Sequence, residues 1–211
     1  MPAISIRADD STVARSAVNA LLHGLSRPVV SVNFGVGDNG RKQVGEDFEV
    51  AVLDYLLETR AIVILDRGAG SGENSRTDSL LARLASKRTA ESASHGFTMF
   101  EADEAILRAV SRGAPAKADV LVFNGRVGLL AALIAASDLY IGYDSAGQHI
   151  AAAVGTPCID VFAGYSSPRM LDRWRPTGPG KSIVIDAGPG RSIADITEEV
   201  KAAASHTLEN H

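Results

Sequence analysis

The 211-residue chain reads as an α/β protein built on a doubly wound parallel sheet. Three observations predict it. Short Val/Ile/Leu-rich runs alternate with longer segments whose apolar residues recur at helical spacing. Several of the runs lead into loops of glycine and other small residues. Finally, the run Leu139–Tyr143 stops at a carboxylate, Asp144, and is followed by Ser145-Ala146-Gly147-Gln148-His149. A small apolar run, Ile150 to Val154, closed by Gly155 and Pro157, then leads to a second buried run, Cys158 to Phe162.

Taken in order, residues 9–25 form an amphipathic helix with Val13, Ala17, Leu21 and Leu22 on one face. Residues 28–34 are a strand running into the loop Gly35–Lys42. Residues 46–59 are a helix, with Phe48, Val52, Tyr55 and Leu56 on its apolar stripe. Ala61 to Leu65 is a strand, Gly68 to Glu73 a loop, and Asp78 to Lys87 a helix. Between Thr89 and Ala118 only Glu101 to Arg112 has a helical pattern, broken by Gly113-Ala114-Pro115. A strand at Val120–Phe123 and a helix at Leu129–Ala136 precede the Asp144 segment. After Phe162 comes a Pro/Gly-rich stretch with Trp174, Pro176 and Pro179, then a strand at Ser182–Ile185 and a helix at Ile193–Ala204. The whole is expected to be one domain, residues 1–211, of six or so βα units.

Composition excludes several classes. A net charge of −4 gives no electrostatic footprint for nucleic acid, and aromatics at 5% show no basic-aromatic interleaving. The lone cysteine, Cys158, lies in an apolar strand, so neither disulfides nor a thiolate metal cluster is expected. No apolar run reaches the roughly 18 residues of a membrane-spanning helix, and no leader pattern follows Met1. A cytoplasmic protein is expected, with peripheral attachment to the inner membrane as the alternative. The sequence has no GxxxxGK[ST], GxSxG or HExxH pattern. His95, His206 and His211 have no acidic or cysteine partners at ligand spacing, so no metal site is expected.

The candidate site follows from strand ends. In open α/β sheets ligands sit outside the carboxyl ends of the strands. Three loops meet that description: Gly35–Lys42, Gly68–Glu73 and Asp144–His149. A helix starting after Asp144 aims unpaired N–H groups and its dipole at an anion beside a carboxylate. Ser145 reads as the N-cap, and His149, four residues on, shares its face. His149 is either a ligand of that anion or a structural histidine. Lys42, closing a glycine-rich loop, is either a diphosphate ligand or a solvated surface lysine. Glu73 either accepts from ribose hydroxyls or complements a helix N-terminus.

The segment Asp144-Ser145-x-Gly147-x-His149-x-Ala-Ala-Ala-x-Gly155-x-Pro157, ending in Val161-Phe162, resembles the D-[ST]-G-x-x-H-x-A-A-x-x-G-x-P segment of family 9 glycosyltransferases, the ADP-heptose:lipopolysaccharide heptosyltransferases. Val30–Asn33 with Gly35 and Lys42, Ala61–Leu65 with Glu73, Asn124-Gly125-Arg126-x-x-Leu129, and Trp174-Arg175-Pro176 resemble other parts of that family in the same order. The resemblance implies the Rossmann-like, C-terminal donor-binding half of a GT-B glycosyltransferase. The N-terminal acceptor domain, with the catalytic base, is expected to be absent from this chain, so no catalytic residue is assigned. By resemblance Lys42 neutralises the donor diphosphate, Glu73 holds the ribose and Asp144 orients sugar hydroxyls. Ser145 and Gly147 bind phosphate, and His149 supports them. The implied donor is a nucleoside-diphosphate sugar such as ADP-heptose, used without metal or other cofactor and with inversion. The acceptor is a glycan or glycolipid reached through the missing domain. The alternative is a non-catalytic nucleotide-binding module of the same fold. Three departures from the family pattern stand out: Ala146 where the family has glycine, a loop around Asp38–Arg41 without Ser or Thr, and a tract Ser94–Ala116 resembling an insertion.

Overall fold

The computed structural model describes residues 4–37, 39–68, 70–91 and 96–209. Strands β1 (Val29–Asn33), β2 (Ile62–Asp66), β3 (Met99–Ala102), β4 (Val120–Phe123), β5 (Leu139–Tyr143), β6 (Cys158–Phe162) and β7 (Ser182–Asp186) pair in one all-parallel sheet. Its order is β3-β4-β2-β1-β5-β6-β7. The helices are α1 (Ala8–Leu22), α2 (Glu46–Glu58), α3 (Ser71–Glu91), α4 (Glu104–Ser111), α5 (Val127–Ala135), α6 (Ala146–Val154), α7 (Pro168–Trp174) and α8 (Ile193–Glu209). The Rossmann-like doubly wound sheet expected from the sequence is therefore present.

Alternation along the strands builds two cores. Val30, Val32, Val63 and Leu65 join α2, α3 and α8 on one face. Val29, Ile62, Ile64 and Tyr140 join α1, α4 and α5 on the other, with α6 beside them. All five residues of β5 and of β6 are buried, as strands covered on both faces must be. The chain leaves β1 towards the β3 edge, then returns through α5 to β5 and proceeds to β7. The reversal lies between β1 and β5, and there the connections leave a crevice at the strand ends. Among the described residues no helix is long and apolar enough to cross a membrane.

Three elements differ from the expectation. Residues 96–116 hold a full βα unit, β3 and α4, and are not a bare helix; Ser94 and His95 of that tract lie outside the described residues. Glu101 is in β3, and the helix starts three residues later, where Asp103 accepts from the Ile106 N–H at 2.9 Å. Helix α3 starts at Ser71, within the stretch expected to be loop, and beside the apolar contact of Leu80, Leu81 and Leu84 it meets α2 through ion pairs. Arg76 pairs with Glu49, Arg83 with Glu46 and Asp47, and Lys87 and Arg88 with Asp54. Apolar periodicity carries no trace of such a face. A short helix, α7, lies within the Pro/Gly-rich stretch.

Candidate functional site

The loop after β1 begins with a side-chain turn: the Gly35 N–H donates to Asn33 Oδ1 at 2.7 Å, and Asn33 Nδ2 donates to Asp66 Oδ2 at the end of β2. Asp66 also accepts from the Gly68 N–H at 3.2 Å, and burial pushes its carboxyl above the usual range. Glu73, in the first turn of α3, accepts from the Gly37 N–H at 3.0 Å and fits between Gly35 and Gly68. A Cβ on either glycine would overlap its carboxylate. Glu73 thus ties the first two loops together. Asp38 and Ala69 within them lie outside the described residues.

Lys42 closes a 3₁₀ turn, Gly40–Lys42. The turn is fixed from below by Gly164, whose positive φ of 65° and missing side chain let the Arg41 carbonyl pack directly on it. Lys42 Nζ lies 2.6 Å from Asp144 Oδ2 and donates to the Asp144 carbonyl at 3.1 Å. The other carboxylate oxygen, Oδ1, accepts from Gln148 Nε2 at 2.8 Å. Asp144 is 4% exposed, so its charge is buried but held from both sides.

Helix α6 starts at Ser145, which has cap backbone geometry but makes no side-chain cap bond; its Oγ is buried without a hydrogen-bond partner. The expectation of an N-cap hydroxyl is corrected there: the backbone turns as a cap, while the hydroxyl faces Tyr140 without hydrogen-bond geometry. Gly147 packs on the Tyr140 hydroxyl so closely that an alanine Cβ would overlap it. His149 lies behind, with its ring centroid 6.4 Å from that of Trp174 and its Nε2 3.4 Å from Gln148 Nε2.

A cleft of about 440 Å³ opens at the switch point. Lys42, Glu73, Asp144, Ser145 and Gly147 line it, with Asn33 and Asp66 on the β1–β2 side and Val127, Leu130 and Ile150 forming an apolar wall. Five of the six sequence-derived site residues therefore meet in one cleft, and His149 stands outside its lining. Asn33, Asp66, Gln148 and the Val127 wall were not singled out from sequence. The signal for Asn33 and Asp66 was available: each is the last residue of a strand that enters a glycine loop. Among the described residues no three His, Cys, Asp or Glu side chains are grouped to hold a metal. His95 and His211 lie outside the described residues.

Comparison with known proteins agrees with this architecture. The model of glycosyltransferase family 9 (heptosyltransferase) matches residues 97–198, a stretch that contains Asp144, Ser145, Gly147 and His149 but not Lys42 or Glu73. No curated protein matches the chain. Among solved structures, a family 9 glycosyl transferase from Veillonella parvula is similar, with a TM-score of 0.61 at 16% identity over 99% of this chain and 54% of its own. The E. coli ADP-heptose lps heptosyltransferase II gives 0.61 at 18% identity, with 99% and 54% covered. E. coli heptosyltransferase WaaC with ADP gives 0.56 at 17%, with 90% and 48% covered. The chain thus spans about half the length of the structures it matches. It has the fold of those structures, and residues 97–198 are similar to glycosyltransferase family 9 (heptosyltransferase).

Proposed function

We propose that the cleft binds a nucleoside-diphosphate sugar of the ADP-heptose kind and that the chain is the donor-binding half of an inverting glycosyltransferase. The observation that carries this reading is the convergence of Lys42, Asp144 and the first turn of α6 on one crevice at the sheet's switch point. A diphosphate leaving group needs positive charge where its bond to the sugar breaks, and an ammonium with helix N–H groups supplies it without a metal. In this arrangement the diphosphate draws Lys42 from Asp144, and Asp144 is released to accept from sugar hydroxyls. The N–H groups of the α6 turn hold the phosphate oxygens, with Ser145 Oγ beside them. Glu73 lines the cleft beside the loops that follow β1 and β2, and there ribose hydroxyls would donate to it. The similar E. coli structure solved with ADP supports a nucleoside diphosphate as the ligand class.

Inversion places the acceptor hydroxyl and its general base on the sugar face opposite the diphosphate. Asp66, Glu73 and Asp144 all line the donor cleft, so in this reading the base belongs to an acceptor-binding domain that also selects the glycan or glycolipid. Calorimetric titration with ADP, UDP and GDP, with and without EDTA, tests the reading. Binding of at least one diphosphate that survives EDTA is expected. Failure of all three to bind overturns the donor site, and strict metal dependence overturns the metal-free mechanism.

A further inference from the structure

Beneath the first turns of α6 lies a carboxylate that the donor reading does not use. Asp160, in the middle of β6, is 0% exposed, and neither carboxyl oxygen has a hydrogen-bond partner. In register it stands beside Gly142 of β5 and Val184 of β7. Alternation puts it on the face of Cys158 and Tyr140, away from Ile159 and Val161. Gly142 presents no side chain there, and the Tyr140 hydroxyl occupies the space above it, 2.5 Å from where a Cβ would stand. Ser145 Oγ and Gln148 Oε1 are also buried without partners at the same end of α6. Such a set of oxygens tolerates a neutral acid far better than an anion.

We propose that Asp160 is a positioning residue that sets the charge of the diphosphate socket through Lys42. Neutral, it leaves the ammonium opposed by Asp144 alone. Ionised, with its proton lost to solvent, it sets a second carboxylate against the same ammonium and weakens anion binding. The groups facing it are consistent with this switch. Asp144 lies two residues beyond Gly142, the β5 partner of Asp160, and holds Lys42 Nζ at 2.6 Å, so it opposes ionisation of Asp160 while Lys42 favours it; Tyr140 on β5 and Cys158 on β6 are neutral neighbours. Helix α6 contributes one titratable side chain, His149, whose ring is set against Trp174. Burial first, then Asp144, pushes the Asp160 carboxyl up to about 8, so the change falls close to neutral pH. For ligand binding the proposal rests on the donor-site reading; for the charge around Lys42 it does not.

The test separates the two. In the free 211-residue chain, carboxyl ¹³C NMR assigned through the backbone is expected to show Asp160 titrating near 8. The Lys42 ¹³Cε signal is expected to step at the same midpoint and to lose the step in Asp160→Asn. An Asp160 midpoint in the ordinary carboxylate range overturns the proposal, and so does a Lys42 signal indifferent to it. If the variant does not fold, coincidence of the two midpoints in the parent chain decides. ADP titration at pH 7 and pH 9 then reads the consequence: a loss of roughly tenfold in the parent, the effect of one added charge at short range, and a smaller loss in Asp160→Asn. Equal losses in both proteins overturn the effect on binding. Absence of ADP binding at either pH removes the donor reading, while the Lys42 signal still decides the role of Asp160.

Discussion

Lys42 Nζ stands 2.6 Å from Asp144 Oδ2, so the ammonium facing the first turn of α6 is already neutralised by a buried carboxylate. An incoming diphosphate competes with that carboxylate for the same cation. Its net gain from Lys42 is smaller than the bare contact suggests, and removal of Lys42 acts on the fold as well as on the ligand.

Lys42→Ala is therefore expected to weaken ADP binding by about 1–2 kcal/mol, below the full value of a charge-assisted hydrogen bond. It should also lower stability by about 1–3 kcal/mol, because Asp144 keeps only Gln148 as a side-chain partner. Asp144→Asn in the same chain should recover most of the stability and none of the affinity. Chemical denaturation and calorimetry read the two effects. An unchanged unfolding midpoint for Lys42→Ala would show that the ion pair contributes nothing to the fold.

Gly147→Ala places a Cβ on the Tyr140 phenol, with both groups in the sheet–helix interface. Over-packing at a rigid site costs about 1–3 kcal/mol. Tyr140→Phe removes the hydroxyl and is expected to rescue Gly147→Ala in part, since the Tyr140 ring carbons also lie inside contact distance. Thermal unfolding of the two single variants and the double variant measures the coupling. Strict additivity would refute the contact.

Much of this architecture is legible in the sequence, and the reason is hydrophobic. β5 and β6 are buried on both faces, so they read as unbroken apolar runs, and the glycines that follow β1 and β2 mark their ends. The Lys42, Glu73, Asp144 and Ser145 cluster follows from strand ends, and Gly147 joins it through the family resemblance. What escapes is whatever polar chemistry holds. β3 is an edge strand with Met99 and Glu101 exposed, so it has no apolar pattern to read. Helix α3 leans on α2 through ion pairs, and Asp160 looks like one polar residue in a hydrophobic strand until the fold places it under α6.

Stability should fall as pH rises through neutrality. The Asp160 carboxyl is raised from 3.8 to about 8 in the fold, so the folded state binds its proton more tightly than the unfolded chain. Its contribution is fully present below the unfolded value and is lost as pH rises through the folded one. Glu49, raised chiefly by burial, acts in the same direction. Asp10 is lowered, first by its hydrogen bond to Arg126, and contributes in the opposite sense, losing stability as pH falls below its unfolded value. Urea unfolding between about pH 5 and 8 should show a decline of about 2–5 kcal/mol, the scale of a shift of several pKa units, with a shallower slope in Asp160→Asn. A flat profile in the parent chain would mean that Asp160 ionises normally.

The remaining prediction concerns the turn that carries Lys42. Gly164 follows β6, adopts φ of 65°, and packs against the Arg41 carbonyl with no room for a Cβ. Alanine there is strained twice, by a left-handed backbone and by overlap with backbone that cannot rotate aside. Either the loop beyond β6 or the 3₁₀ turn has to shift to relieve that overlap. Whichever gives way, the Arg41 carbonyl moves from Gly164, and Lys42, one residue on, is carried with it. Gly164→Ala is accordingly expected to weaken ADP binding by about the same amount as Lys42→Ala. The combined variant should be little weaker than either alone, because both act through one ammonium. Calorimetry on the two single variants and the double variant decides this. Full additivity in affinity would mean that Gly164 shapes some other part of the cleft and that the turn holds Lys42 by itself.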